Sequence, residues 1–463
     1  MKLLVKLLIL GLLTCQLFAV GEAGGIFLLI APGARAPGMG EAQVAKADDA
    51  YASYYNPAGL AYLPGKGISL MHTKWLPNLA DDIYYTFATG YTTIEDMGTF
   101  GAHFTFLNLG TQVETDELGR ELGTFRSFMW ALTGNYSTLL SEHSSIGISA
   151  KLFHQKLTDK AVANERGKGQ STDFAFDLGY MLRRDRYSIG AMIQNIGPKI
   201  TFIDDDQSDP APTNMKLGVD VTVFDDGFNR INLLADANKL LVAAYPAMDW
   251  DDDGIIGGYD KDGNGSDGGK YNRDGDIEQA HTDSWWKALV TAWLDDWYLG
   301  GDLDKDANDI IGGYVFRDCG EDGLCPGDAG YIGPDENGTE GDGMTIIDNA
   351  GTIPDEYPEL FYEPNDSKAK YNEFAEIEKG SESERKFSTE FKEMVYNFGI
   401  EYWYQSYFAL RAGYIYDQEG KITNPTFGAG VHFDRYGFDF GYTAGEQGHP
   451  RANTMFFSIN IDI

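Results

Sequence analysis

The sequence predicts an all-β protein: a fourteen-stranded transmembrane β-barrel with an N-terminal lumenal plug and a large acidic extracellular insert. Three observations lead there. From Gly67 onward apolar and polar residues alternate with period two, as strands with one apolar face require. Tyr and Phe crowd the ends of these segments, as the interfacial girdles of a membrane barrel do. The connections alternate between short and long, as periplasmic turns and outer loops do. The segments run ~9–12 residues, enough to cross a bilayer at barrel tilt and long for most sandwiches.

Fourteen segments start near Gly67, Ile83, Gly98, Arg126, Ser144, Thr172, Arg186, Thr213, Arg230, Met394, Tyr407, Thr426, Tyr436 and Thr454. In "MVYNFGIEYWY", Met394, Tyr396, Phe398, Ile400, Tyr402 and Tyr404 share one face; Asn397, Gly399 and Glu401 share the other. The small or polar face suits a wet or plugged lumen. The sequence ends "MFFSINIDI", with Phe457, Ile459, Ile461 and Ile463 in step. Connections after even-numbered strands are short, as in "SEH", "RDR" and "RYG". Those after odd-numbered strands are longer, as at Gly110–Phe125, Leu157–Ser171 and Gly197–Pro212. With periplasmic termini, the odd-numbered connections face outward, and the acidic block follows the ninth strand.

The opening "MKLLVKLLILGLLTCQLFAVGEA" reads as a signal peptide over residues 1–23. Lys2 and Lys6 form its basic region, Leu7–Leu13 its short apolar core, and Gly21 and Ala23 its cleavage signal. Cys15 invites a lipoprotein reading, but Thr14 before it fits poorly. The remaining organisation is a plug over 24–65, strands 1–9 over 66–241, the insert over 242–393 and strands 10–14 over 394–463. The segment Ile26–Leu63 is Ala/Gly-rich and does not alternate, which suits a plug folded inside the barrel; a periplasmic flap is the alternative. In "NPAGL", Asn56 is placed to cap a helix that begins with Pro57.

Acidic residues number 71 against 36 basic, a formal charge of -35. A general nucleic-acid binder needs a basic face, so that class is excluded. More than half of the acidic residues lie between Val242 and Glu393. There "DWDDDGIIGGYDKDGNG" places Asp249, Asp251 and Asp253 at positions 1, 3 and 5 of an EF-hand-like loop, with Gly254 at 6 and Asp260 at 12. Alternate carboxylates around a glycine turn let the chain wrap a hard cation. Looser sets follow: Asp260, Asp262 and Asn264; Asn272, Asp274, Asp276 and Asp283; Asp302, Asp304 and Asp306; Asp335, Asn337 and Asp342. Structural calcium is the expected cofactor, and a disordered acidic tether is the alternative. Cys319 and Cys325 in "DCGEDGLCPGD" suit a small disulfide loop in an exported chain, with two free thiols as the alternative. In "SWWKALVTAWLDDWYL", Trp285, Leu289, Trp293 and Trp297 form a helical stripe, read either as the core of the insert or as a docking surface.

Catalysis has little support, and no enzyme is expected. The seven histidines show no metal or triad spacing. His103 and His432 are expected to face the lumen, and Lys151, Asp177, Glu401, Arg411 and Asp439 to pair there with one another.

"LLIAPGARAPGMGEAQVA" and "DDAYASYYNPAGLA", within Ile26–Leu63, resemble the PorV/PorQ family of FadL-like outer-membrane barrels. The resemblance is close there and only architectural over Gly67–Ile463. It implies a plugged fourteen-stranded barrel in a bacterial outer membrane. In the PorV branch it implies type IX secretion: cargo is taken from the translocon by its C-terminal sorting domain and delivered to a surface attachment complex. In the FadL branch it implies uptake of hydrophobic small molecules. The acidic insert departs from both patterns.

Overall fold

A computed structural model of the chain describes residues 23–115, 120–158, 169–202, 208–245, 281–295, 314–319, 342–347, 387–418, 420, 422–445 and 453–463. The chain divides into two units. One comprises Met1–Leu241 with Lys392–Ile463, the other Val242–Phe391.

The first unit is a closed antiparallel barrel of fourteen strands. They are β1 (Lys66–Lys74), β2 (Tyr84–Ile94), β3 (Gly98–Thr115), β4 (Glu121–Ser141), β5 (Ser144–Lys156), β6 (Gln170–Arg183) and β7 (Tyr187–Ile196). There follow β8 (Asn214–Asp225), β9 (Asn229–Leu240), β10 (Val395–Tyr404), β11 (Phe408–Asp417), β12 (Ile422–Phe433), β13 (Tyr436–Thr443) and β14 (Thr454–Asp462). Each strand pairs with its neighbour in sequence. The ring closes between β1 and β14, with Gly67 opposite Asp462 and His72 opposite Phe457. Closure leaves no unpaired edge, the condition for crossing a bilayer with strands.

All fourteen expected strands are present, but one expected connection is largely strand. β3 and β4 extend as a hairpin through Gly110–Phe125, pairing Thr111 with Arg126 and Val113 with Thr124. Thr111, Gln112 and Val113 are exposed. The hairpin stays paired beyond the apolar band because β-branched residues favour strand geometry even where both faces are wet.

The period-two pattern sorts the faces as the sequence requires. Leu132, Leu152, Phe176, Leu217, Leu410 and Phe438 point outward and are exposed, while Ser69, Thr133, Ser149, Asn232 and Asn397 point inward and are buried. Among the described residues no helix is long and apolar enough to cross a membrane.

The N-terminal segment packs against the inward-facing side chains. Its short turns of helix are Ile26–Leu29, Pro37–Met39, Ala52–Tyr55 and Pro57–Tyr62. Asn56 caps the last of these, its side chain accepting from the Ala58 N–H at 3.1 Å. Proline at the first helical position costs no hydrogen bond. The segment begins at the long-connection end, where the Gly24 N–H donates to the Pro210 carbonyl at 2.9 Å in the β7–β8 connection. It finishes at the opposite end, where the Ala58 carbonyl accepts from Ser137 and Ser145 beside the β4–β5 turn. Phe27, Tyr51, Tyr54 and Tyr55 join Tyr85, Phe87 and Phe153 of the wall in one apolar cluster.

In the second unit, Ala244–Tyr245 pairs with His281–Thr282, and Tyr314–Cys319 pairs with Asp342–Ile347. A helix spans Trp285–Thr291. Its buried positions are Ala288 and, just beyond it, Ala292, whereas Trp285 and Trp286 are exposed. Of the expected stripe, Trp285 is exposed, Leu289 and Trp293 are half-buried, and Trp297 lies outside the described residues.

Candidate functional site

The inward-facing charges meet the N-terminal segment in a buried ladder. Arg35 is its hub. Its Nε and Nη2 donate to the two oxygens of Glu401 on β10, at 2.9 and 3.0 Å. Its Nη1 donates to Asp48 at 2.6 Å and to Asp49 at 2.9 Å. Glu401 also accepts from Arg411 Nε on β11 at 2.9 Å, and Arg411 Nη1 reaches Asp439 on β13 at 2.7 Å. Asp439 accepts a further bond from Asn460 of β14 at 2.7 Å, and its Oδ1 lies 3.4 Å from His432 Nε2. The Arg411–Asp439 bond passes over β12, which is possible because Gly430 has no side chain. A methyl there would stand 3.0 Å from Arg411 Nη1 and overlap the Asp439 carboxylate.

Burial works against ionising both carboxylates of the N-terminal segment. At Asp48 the charges of Arg35 and Lys46 outweigh that penalty, and its pKa falls below the ordinary value. At Asp49 burial wins, and its pKa rises. The guanidinium favours the charged form of both neighbours, and it prevails over burial only at Asp48.

Other wall residues hold the backbone of the segment. Asp236 on β9 accepts from the N–H groups of Gln43 and Val44 at 2.8 and 2.9 Å. Asn397 on β10 donates to the Gly40 carbonyl. Asn56 donates to the Val44 carbonyl at 3.2 Å and to the Tyr180 carbonyl of β6 at 3.0 Å. Lys216 on β8 stands 5.1 Å from the Tyr54 ring centre, a cation–π contact. Wall and segment also meet backbone to backbone. A methyl at Gly413 would overlap the Gly40 nitrogen, and one at Gly428 would lie 3.0 Å from the Gly38 Cα.

Beneath Arg35, at the short-turn end, lies a cavity of about 280 Å³. Asp48, Asn232, Trp403, His432 and Asp439 line it with Arg35.

The lumenal residues singled out in the sequence come together as expected. Lys151 pairs with Asp177 at 3.3 Å, and Arg411 with Glu401 and Asp439. His103 is buried, stacks on Phe87 and lies 3.2 Å from Ser53 Oγ. The sequence reading missed Arg35, Asp48, Asp49 and Asp236. One signal was available: Arg35 is the only charged residue between Glu22 and Glu41.

Of the expected calcium ligands, Asp283 and Asp342 are described; the Asp283 carboxylate lies 3.7 Å from Lys287 one helical turn away, and Asp342 begins a strand. Asp249, Asp251, Asp253, Asp260, Asp262, Asn264, Asp274, Asp276, Asp302, Asp304 and Asp306 lie outside the described residues. So does Cys325, while Cys319 ends a strand and pairs with Asp342. Among the described residues no group of three His, Cys, Asp or Glu side chains could hold a metal ion.

A closed fourteen-stranded barrel with an apolar exterior and a polar interior defines an outer-membrane β-barrel. Residues 19–247 match the family model described as "Type IX secretion system protein PorV". Over those residues, just under half of its length, the chain matches that family, and the match supports an outer-membrane barrel in type IX secretion. No curated protein sequence matches it. Solved structures similar to it include the Pseudomonas putida toluene transporter TodX, at 12% identity and a TM-score of 0.41, covering 92% of this chain and 95% of that one. The Ralstonia pickettii toluene transporter TbuX is 11% identical with a TM-score of 0.42, covering 93% and 96%. A Pseudomonas aeruginosa FadL homologue is 10% identical with a TM-score of 0.40, covering 94% and 98%.

Proposed function

We propose that this barrel is a cargo-binding shuttle: it receives exported proteins by their C-terminal sorting domain and hands them to the surface attachment machinery. The observation that carries this reading is the Arg35–Glu401–Arg411–Asp439 ladder, taken with the PorV family match. Breaking a buried ion pair costs about 3–5 kcal/mol, and the ladder would have to break before the N-terminal segment could leave the lumen. In this reading the segment is a fixed plug, and the working surface is the outer rim, including the insert of residues 242–393 on the cell surface. Calcium held by carboxylates such as Asp249, Asp251 and Asp253 stiffens that insert. The partners are the cargo, the type IX translocon and the attachment complex.

The test is affinity purification from solubilised outer membranes, combined with a strain lacking the protein. Co-purification of exported proteins sharing a C-terminal domain, and their periplasmic retention in the null strain, supports the shuttle. Cargo that still reaches the surface, with reduced uptake of hydrophobic small molecules, supports a FadL-like transporter instead.

A further inference from the structure

The N-terminal segment has a built starting point. Ala23 is 9% exposed, and Gly24 and Gly25 are buried behind it. The Gly24 N–H donates to the Pro210 carbonyl at 2.9 Å. A side chain at Gly24 would press the Asp209 Cβ at 3.1 Å and the Ile200 Cδ1 at 3.3 Å. Gly25 takes a φ of 67°, a conformation that disfavours any side chain. Ile200 and Asp209 face each other in a small hairpin of the β7–β8 connection, and Ile200 is fully buried in the same cluster as Phe27. The wall thus carries a pocket for one particular pair of residues, directly after the small Gly21–Ala23 cleavage signal.

We infer that cleavage between Ala23 and Gly24 creates the charge that anchors the segment: the new Gly24 α-ammonium is held by the Pro210 carbonyl and the Asp209 carboxylate. Hydrolysis breaks the Ala23–Gly24 amide bond. The water oxygen stays on the Ala23 carboxylate, and the Gly24 nitrogen gains protons to become an ammonium. An amide N–H offers one donor to this pocket, whereas an ammonium offers three donors and a positive charge. The pocket lies at the long-connection end of the barrel, and Gly24 already occupies it with its amide N–H on the Pro210 carbonyl; cleavage adds the charge to a nitrogen already in place.

The experiment reads the amine directly. N-terminal sequencing and intact mass of the barrel purified from outer membranes should give Gly24 as the first residue. Brief acetylation of the native barrel near neutral pH should modify exposed Lys66 and spare the Gly24 amine, which in an unfolded chain has a pKa of about 7.7–8.0 and reacts readily. Asp209→Asn should speed Gly24 acetylation by about tenfold, the factor that one pKa unit represents, and Asp209→Glu should restore protection. A different first residue overturns the inference. So does a native Gly24 amine that reacts as fast as the unfolded one, or protection that survives Asp209→Asn. If Asp209→Asn does not fold, the native and unfolded rates of the unsubstituted protein decide the matter.

Discussion

Arg35 and Glu401 are 366 positions apart in the chain, yet they meet through two parallel hydrogen bonds of 2.9 and 3.0 Å. This bidentate geometry is the strongest form of the guanidinium–carboxylate pair. Arg35→Met should leave the barrel closed, because each strand keeps both neighbours, and should free the segment that Arg35 anchors. Removing one partner of a buried pair costs about 3–5 kcal/mol, here through Asp48 and Asp49, while Glu401 keeps Arg411. Two measurements check this: thermal unfolding in detergent, where the midpoint should fall, and planar-bilayer conductance, where current should rise. Unchanged values of both would show that Arg35 does not anchor the segment.

Gly413 and Gly134 make a matched pair of substitutions. A Cβ at Gly413 would overlap the backbone of Met39 and Gly40, whereas one at Gly134 meets nothing within 4 Å. Gly413→Ala should destabilise the seated segment by about 1–3 kcal/mol, the usual range for overpacking. Gly134→Ala should stay within about 0.5 kcal/mol of the unsubstituted protein. Equal melting temperatures for the two variants would argue against a backbone-to-backbone seat.

Asp48 and Asp49 should part company as pH changes. Asp48 has a lowered folded pKa, so its contribution is present above the unfolded value near 3.8 and is lost as pH falls through the lower folded value. Asp49 has a raised folded pKa, so its contribution is full below the unfolded value and declines as pH rises through the folded one. Asp48→Asn should therefore cost more stability near neutral pH than Asp49→Asn, and should flatten the loss of stability in acid. Melting temperatures of both variants between about pH 3 and pH 7 decide it; the reverse ranking would contradict the assignment.

The barrel was legible because a strand writes its two faces into the sequence one residue at a time. Phe398 and Glu401 could be assigned to opposite faces without knowing any neighbour. The β3–β4 extension was missed because Thr111–Thr115 lacks the apolar half of that pattern. Paired charges on the wall, such as Lys151 with Asp177, could be foreseen since both must face one narrow lumen. The hub could not. Which carboxylate Arg35 meets depends on how a non-periodic segment threads the barrel, and nothing local encodes that path. Wall glycines were visible as small lumenal residues, but only the path of Met39 and Gly40 shows why Gly413 cannot carry a side chain.

Calcium binding by the insert is testable on the intact protein. With ligands at alternate positions, Asp251→Ala with Asp253→Ala removes two oxygens from one loop and should abolish binding there. Titration calorimetry in detergent should show calcium uptake by the unsubstituted protein and a loss of at least one site in the variant. No uptake at about millimolar calcium, the weak end of extracellular sites, would leave the insert an acidic tether.

The insert itself should be removable. β9 and β10, which flank it in sequence, pair directly, from Asn229 opposite Tyr404 to Asn238 opposite Val395. At the insert end, Leu241 donates its N–H to the Thr213 carbonyl beside β8 at 2.7 Å, and Lys239 of β9 pairs with Glu393 just before β10. Deleting Val242–Lys386 and joining the ends by a short turn therefore breaks no pairing in the barrel. The variant should insert into the outer membrane and migrate as a folded barrel in unheated gel samples. Cargo capture should suffer, because a stable protein interface buries about 1,200–2,000 Å², more than short barrel loops readily supply. Trp285 and Trp286, at 43% and 59% exposure, are suited among the described residues of the insert to anchor such a contact. Trp285→Ala with Trp286→Ala should then reproduce part of the loss without removing the domain. If the deletion variant folds and still retains cargo at the level of the unsubstituted protein, the insert is not the docking surface, and recognition must lie on the remaining outer loops.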